Sequence, residues 1–178
     1  MGCSHGLLFA VAALVLVGCA SNIPVAIQNP PPENIAIEQV RSDVAKFIGS
    51  TVRWGGTIAS VENHRDHTLI EIVGRGLNNN GRPDEHDRSA GRFLARMADF
   101  LDPAIYEKGR LLTINGTVVE ELIRPIGEFT YTFPVVNADN YFLWRPLPPP
   151  PRYNYDPFWY YDPWYPYSYP WHHHPYYW

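Results

Sequence analysis

Both cysteines of this 178-residue chain, Cys3 and Cys19, lie at its amino-terminal edge. The long remainder has no disulfide to draw on, so whatever folds there must be held by apolar burial alone. Just before the second cysteine, Leu7 to Val17 form an apolar run, preceded by His5 but by no Lys or Arg. A run of this length suits the h-region of a signal peptide. It is too short to span a bilayer, which takes roughly 20 apolar residues. Ser21, Asn22 and Pro24 follow at once and end any helix the run begins.

The run closes on Leu16-Val17-Gly18-Cys19. Gly18 leaves a peptidase room at the backbone, and Cys19 offers a thiol that can become a thioether to diacylglycerol. The pattern resembles the bacterial lipobox. It predicts a leader over residues 1–18, cleavage before Cys19, and lipid on that cysteine as the membrane contact. One acyl chain binds only reversibly, at about 0.8 kcal/mol per buried methylene, whereas two or three hold a protein in place. Ala20 follows the cysteine. In bacteria with two membranes an Asp there tends to retain a lipoprotein on the inner one, so Ala20 with Ser21 points to the outer membrane, where the expected placement of the domain is the periplasmic face.

Cleavage would leave about 160 residues, enough for one domain. The formal net charge of −4 does not favour a phosphate-backbone partner, and no nucleic acid is expected. Three materials follow one another. Residues 19–34 read as a tether, because Pro24 and Pro30-Pro31-Pro32 favour extended polyproline II. Residues 35–145 read as the folded domain, and residues 146–178 as a Pro/Tyr/Trp/His-rich, low-complexity tail.

Within the domain, Ile37, Val40, Val44, Phe47 and Ile48 share a helical face, with Gly49 suited to end the helix. Strands are predicted over 52–61, 68–73, 92–97, 111–120, 129–133 and 141–145. Gly55-Gly56 suggests a bulge or sharp bend in the first. Asp102-Pro103, with Gly109 beyond, predicts a short helix between strands three and four. The order predicts a mainly β fold: a small OB-like antiparallel barrel with an N-terminal helix and that second short helix. An open antiparallel sheet packed by the 37–48 helix is the other arrangement the pattern allows.

Several blocks carry a resemblance. They are Gly49-Ser50-Thr51-Val52-Arg53-Trp54-Gly55-Gly56, Thr68-Leu69-Ile70-Glu71-Ile72, Gly91-Arg92-Phe93-Leu94-Ala95, Phe100-Leu101-Asp102-Pro103 with Tyr106, Leu112-Thr113-Ile114-Asn115-Gly116-Thr117, Tyr131-Thr132-Phe133-Pro134-Val135-Val136 and Tyr141-Phe142-Leu143-Trp144. Taken in order over roughly residues 19 to 145, they resemble the Slp family of outer-membrane lipoproteins. The resemblance implies a starvation-inducible outer-membrane lipoprotein and hands over no catalytic residues or cofactor. The tail lies outside these blocks.

His64, Asp66 and His67 are metal-ligand types in a short polar run, but Asn63 and Asp66 are also ordinary residues of a hairpin turn. The run Asn78 to Arg88 carries acids that suit Ca²⁺, without the spacing of an EF-hand loop, and is the first choice for a binding contact. Arg53, Arg92 and Arg96 sit on strands among aromatics, as on a nucleic-acid face, and read more simply as outward surface charge. In the tail, His172-His173-His174 can bind a transition metal weakly, and the rings suit sugars, membrane interfaces or Pro-rich partners. No nucleophile elbow or phosphate loop is present. The expected function is a non-enzymatic envelope module with a protein or glycan partner. The alternative is a glycan- or metal-binding module using the 78–88 loop and the tail.

Overall fold

The computed structural model describes residues 23–148. Three short helices, α1 (Val25–Gln28), α2 (Ile37–Ser42) and α3 (Val44–Phe47), precede five strands. These are β1 (Thr51–Asn63), β2 (Thr68–Gly74), β3 (Arg92–Met97), β4 (Leu111–Ile126) and β5 (Phe129–Leu143). The strands close a barrel in the order β1-β2-β3-β5-β4, with β3 and β5 parallel and every other pair antiparallel. This is the OB arrangement, and closure leaves no open sheet edge. Among the described residues no helix is long and apolar enough to cross a membrane.

Alternation along each strand sends Val52, Trp54, Ile58, Ile70, Ile72, Phe93, Ala95, Met97, Leu112, Ile114 and Val136 into one core. Ile37, Val40 and Val44 join that core from α2 and α3. The single helix expected over 37–48 is instead broken at Asp43, whose extended backbone lets its carboxylate cap the Lys46 amide at 3.3 Å. Ile48, placed on the apolar face from sequence, is 55% exposed beyond that break.

Gly56 pairs with Gly74 on β2 and with Leu112 on β4, at the point where β1 passes from one neighbour to the other. A Cβ there would lie 1.9 Å from the Val73 carbonyl oxygen, so only glycine permits the approach. The bulge itself falls three residues on, between Ile58 and Ser60.

The short helix expected between β3 and β4 is a run of turns. Asp102 does initiate one turn: its carbonyl accepts from Ile105 and Tyr106, and its carboxylate accepts from the Ala104 amide. The Gly109 amide then donates to Ile58 and the Arg110 carbonyl accepts from Ile58, so β1 claims the backbone a second turn would need. The strands expected over 129–133 and 141–145 are one, β5, which leaves a 16-residue β4 through the Gly127-Glu128 turn.

Candidate functional site

An OB barrel presents ligands to the outer face of β2 and β3, between the β1–β2 and β4–β5 loops. Here that face carries Leu69, Glu71 and Val73 from β2, paired with Arg96, Leu94 and Arg92 from β3. It is covered. The β4–β5 hairpin folds across it, and Phe133 and Val135 pack on Leu69 and Leu94 in a second core, with Val119, Leu122, Ile126 and Tyr131 around them. Ion pairs rim this cluster: Arg92 with Glu71, Arg96 with Glu120, and Arg124 with Glu62 at 2.9 Å. The last joins the hairpin to the end of β1, across the cleft a bound polymer would enter. The Tyr131 hydroxyl accepts from the Arg92 amide at 2.7 Å and from Arg41 at 2.8 Å, fixing the hairpin to α2.

The arginines singled out from sequence are therefore all engaged. Arg92 and Arg96 face outward into those ion pairs. Arg53, read as surface charge, is 8% exposed and donates to the Ile27 and Gln28 carbonyls at the end of α1, which lies over it. Burial pushes its guanidinium below the usual arginine range. The stretch expected as a tether is thus bonded to β1 at Ile27, Gln28 and Asn34. Ile27 is fully buried, Asn34 accepts from the Arg53 amide at 2.8 Å, and the Ile35 carbonyl accepts from the Trp54 indole at 2.7 Å.

The β1–β2 turn holds His64, Asp66 and His67. The two imidazoles stack at a 4.5 Å centroid separation rather than converging on a point. His67 Nδ1 lies 2.8 Å from Asp66 Oδ1, and this bond holds the Asp66 carboxyl below its ordinary range, helped by its own backbone. Among the described residues no three His, Cys, Asp or Glu side chains gather as a metal site. Asp66 and His67 line a polar hollow of about 480 Å³ with Arg96, Asn137 and Asp139.

The 78–88 loop divides into two halves. Asn78 Oδ1 accepts from the Asn80 and Arg82 amides, closing a turn whose Gly81 and Pro83 are buried against the barrel. The Gly81 carbonyl accepts from the Thr113 hydroxyl at 2.7 Å, and that oxygen accepts from the Trp144 indole at 2.9 Å. The second half stays open. Asp84, His86 and Arg88, with Glu38 from α2, line a groove of about 590 Å³, and Arg75 donates to the His86 and Arg88 carbonyls of the loop. Sequence reasoning missed Glu38, Arg75 and Thr113. Each is an ordinary polar residue: Arg75 and Thr113 bond to the loop from other elements, and Glu38 reaches the groove from α2. Cys19 and His172-His173-His174 lie outside the described residues.

The model of the outer membrane lipoprotein Slp family matches residues 16–178. The match takes in Cys19 and also the aromatic tail that the blocks quoted above left out. The chain is similar to the uncharacterized lipoprotein YeaY of Escherichia coli strain K12, at 32% identity over 92% of this chain and 86% of that protein. It is similar to the outer membrane protein Slp of the same strain, at 31% identity over 82% of this chain and 77% of that one. By structure it is similar to a small single-stranded DNA-binding protein from Streptomyces coelicolor, with a TM-score of 0.35 and 8% identity, over 53% of this chain and 94% of that one. At that score the likeness bears no functional argument.

Proposed function

This chain belongs to the outer membrane lipoprotein Slp family, a lipid-anchored outer-membrane protein, and we propose that it is a non-enzymatic interaction module of the cell envelope. The lipid sits on Cys19, after a leader over 1–18, and the barrel faces the periplasm. Its partner is another envelope protein, and its working condition is starvation or envelope stress. The observation that supports a protein contact is the covered OB face. Phe133 and Val135 occupy the surface on which a sugar or nucleic-acid polymer would lie, so recognition falls to the barrel's exposed loops and hairpin. Apolar side chains wait there: Phe129 is 69% exposed and Ile123 62% exposed on the hairpin.

In-cell cross-linking from a photoreactive residue at position 128, the exposed turn residue beside Phe129, tests this reading. The expected result is a discrete protein adduct lost in Phe129→Ser, and retention of glycan alone would overturn it. The anchor is tested separately. Cys19→Ser should take up no labelled fatty acid, and equal label in the variant would refute the assignment.

A second reading rests on one observation, the open groove lined by Glu38, Asp84, His86 and Arg88. Its mixed charges and hydroxyl-reaching donors suit a glycan fragment. Muropeptide binding that disappears in Asp84→Ala would favour it over the protein contact.

A further inference from the structure

Closure seals the barrel proper, but β4 outruns its partner on one side. β1 pairs with β4 only from Leu111 to Thr117, and the Gly49 and Ser50 backbone takes up Val118. Beyond the bulge between Val118 and Glu120, β4 continues into the hairpin, paired with β5 as far as Ile126. Among the described residues no other backbone group bonds to this limb.

The turn decides which groups the free side offers. Ile126 and Phe129 flank a two-residue loop, and Gly127, at φ +60°, opens it as in a type II′ turn. The flanking pair of such a hairpin exchanges both ladder bonds, and bonded and unbonded pairs then alternate. Arg124 with Tyr131 and Leu122 with Phe133 are therefore bonded pairs, while Glu121, Ile123 and Pro125 aim their backbone groups away from β5. The prolines agree, since Pro125 and Pro134 both occupy positions whose N–H the ladder does not use. On the β5 side the Tyr131 hydroxyl reaches Arg92 and Arg41, which brings β3 and α2 alongside. The open groups on β4 are the N–H and C=O of Glu121 and Ile123 and the carbonyl of Pro125.

Soluble proteins commonly blunt a free edge with lysine, proline or a bulge. Here the bulge and Pro125 bracket a window that nothing blunts, and its Ile123 is β-branched and 62% exposed. A second copy fits this window badly. Two-fold pairing centred on Leu122 would run the other copy's turn into Thr51, which pairs with Thr117. Centred on Ile123, it sets Pro125, which has no N–H, against Glu121 and brings the Arg124 side chains of both copies together diagonally. A single extended segment meets neither obstacle.

We infer that the β4 edge from Glu121 to Pro125 is a docking site for an extended segment of the partner protein, added as one more strand. This deepens the protein-contact reading and rests on it. Backbone pairing supplies the affinity of such an added strand, and alternate side chains supply its specificity. One side of the segment continues the second core beside the half-buried Leu122 and Ile126, so its residues there are apolar. The other side meets Ile123 and Glu121. Glu120 and Arg124 are already paired with Arg96 and Glu62, whereas Glu121 is exposed and has no ion pair among the described residues, so a Lys or Arg facing it completes the match.

Amide exchange on the purified chain tests the edge without any variant. Glu121 and Ile123 should exchange about tenfold faster than Leu122 and Arg124, and equal protection overturns the inference. The contact is read in cells from a photoreactive residue at position 121. Ile123→Pro removes one outward N–H, whereas Ile123→Ala keeps it. The proline should lower the adduct about tenfold and the alanine far less, because a backbone bond is what is lost. Protection retained at Leu122 and Arg124 shows that the proline variant is folded; if it is lost, Glu121→Pro with the probe at position 123 takes its place. A synthetic copy of the cross-linked segment, mapped by mass spectrometry, should then slow exchange at Glu121 and Ile123. Equal adducts from the proline and alanine variants, an adduct of two copies of this chain, no adduct, or no protection by the synthetic copy each overturns the inference. An adduct that forms from position 128 but not from 121 leaves the protein-contact reading standing, so the two ideas fall separately.

Discussion

Phe133→Ala isolates the contact on which the covered-face argument turns. The side chain is 1% exposed and lies between Leu69, Leu94 and Val135, with the Tyr131 ring 4.8 Å away. Removing a buried phenyl forfeits about 1.5–3 kcal/mol of transfer free energy, and the cavity left behind raises typical Phe→Ala losses to about 3–5 kcal/mol. The site is a two-layer cluster between a hairpin and a sheet, not the closed barrel interior, so the hairpin can settle partway into the gap. We therefore expect the low end, about 3 kcal/mol. For a domain of this size that corresponds to a fall in Tm of roughly 10–15 °C. Urea denaturation monitored by circular dichroism gives the energy. Amide exchange locates it: Leu122 to Ile126 should lose protection well before Ile70 and Ile72 in β2. Newly exposed Leu69 and Leu94 should also raise binding of a hydrophobic dye. A loss below about 1 kcal/mol, or exchange that rises equally throughout the barrel, would refute the idea that the hairpin is a packed cover.

Three further outcomes follow from the same geometry. Trp54→Ala should cost about 3–5 kcal/mol, because the ring is 4% exposed and meets Phe93 edge-on at 5.2 Å; an unchanged denaturation midpoint would exclude it from the core. Arg53→Met strips the donor from the Ile27 and Gln28 carbonyls at a cost of about 1–3 kcal/mol, and limited proteolysis should then cut near Asn29 while the barrel stays intact. The Asp66 carboxyl is depressed in the fold, chiefly by its bond to His67, so its contribution is complete above the ordinary carboxylate range and lost as pH falls through the folded value. Stability measured below that range should be the same for wild type and Asp66→Asn, with wild type gaining as pH rises; a gap that widens toward acid would reverse the sign.

The barrel was legible because its walls alternate. Ile70 with Ile72, and Phe93 with Ala95 and Met97, announce an inward face residue by residue, and that periodicity is local. What a strand's outward side meets is not local. Arg53 alternates outward between Val52 and Trp54, as surface charge would, and only the return of α1 from 25 residues upstream buries it. Leu69 and Leu94 likewise break an outward polar pattern, and in isolation each is an unremarkable surface leucine. Together they are the signal that something must cover β2 and β3. That cover was obscured by Pro134 and by Asn137 to Asn140, turn-forming residues that divide β5 into two apparent strands. Pro134 is tolerated at the register position just before parallel pairing with β3 begins at Val135. Here the fold and the functional reading meet. A chain that spends its β4–β5 hairpin on closing the usual ligand face, and its arginines on fixing where the described segment enters and leaves the barrel, leaves, among the described residues, the open side of the 78–88 loop, the hollow beside Asp66 and His67, and the hairpin tip as surfaces able to meet something else.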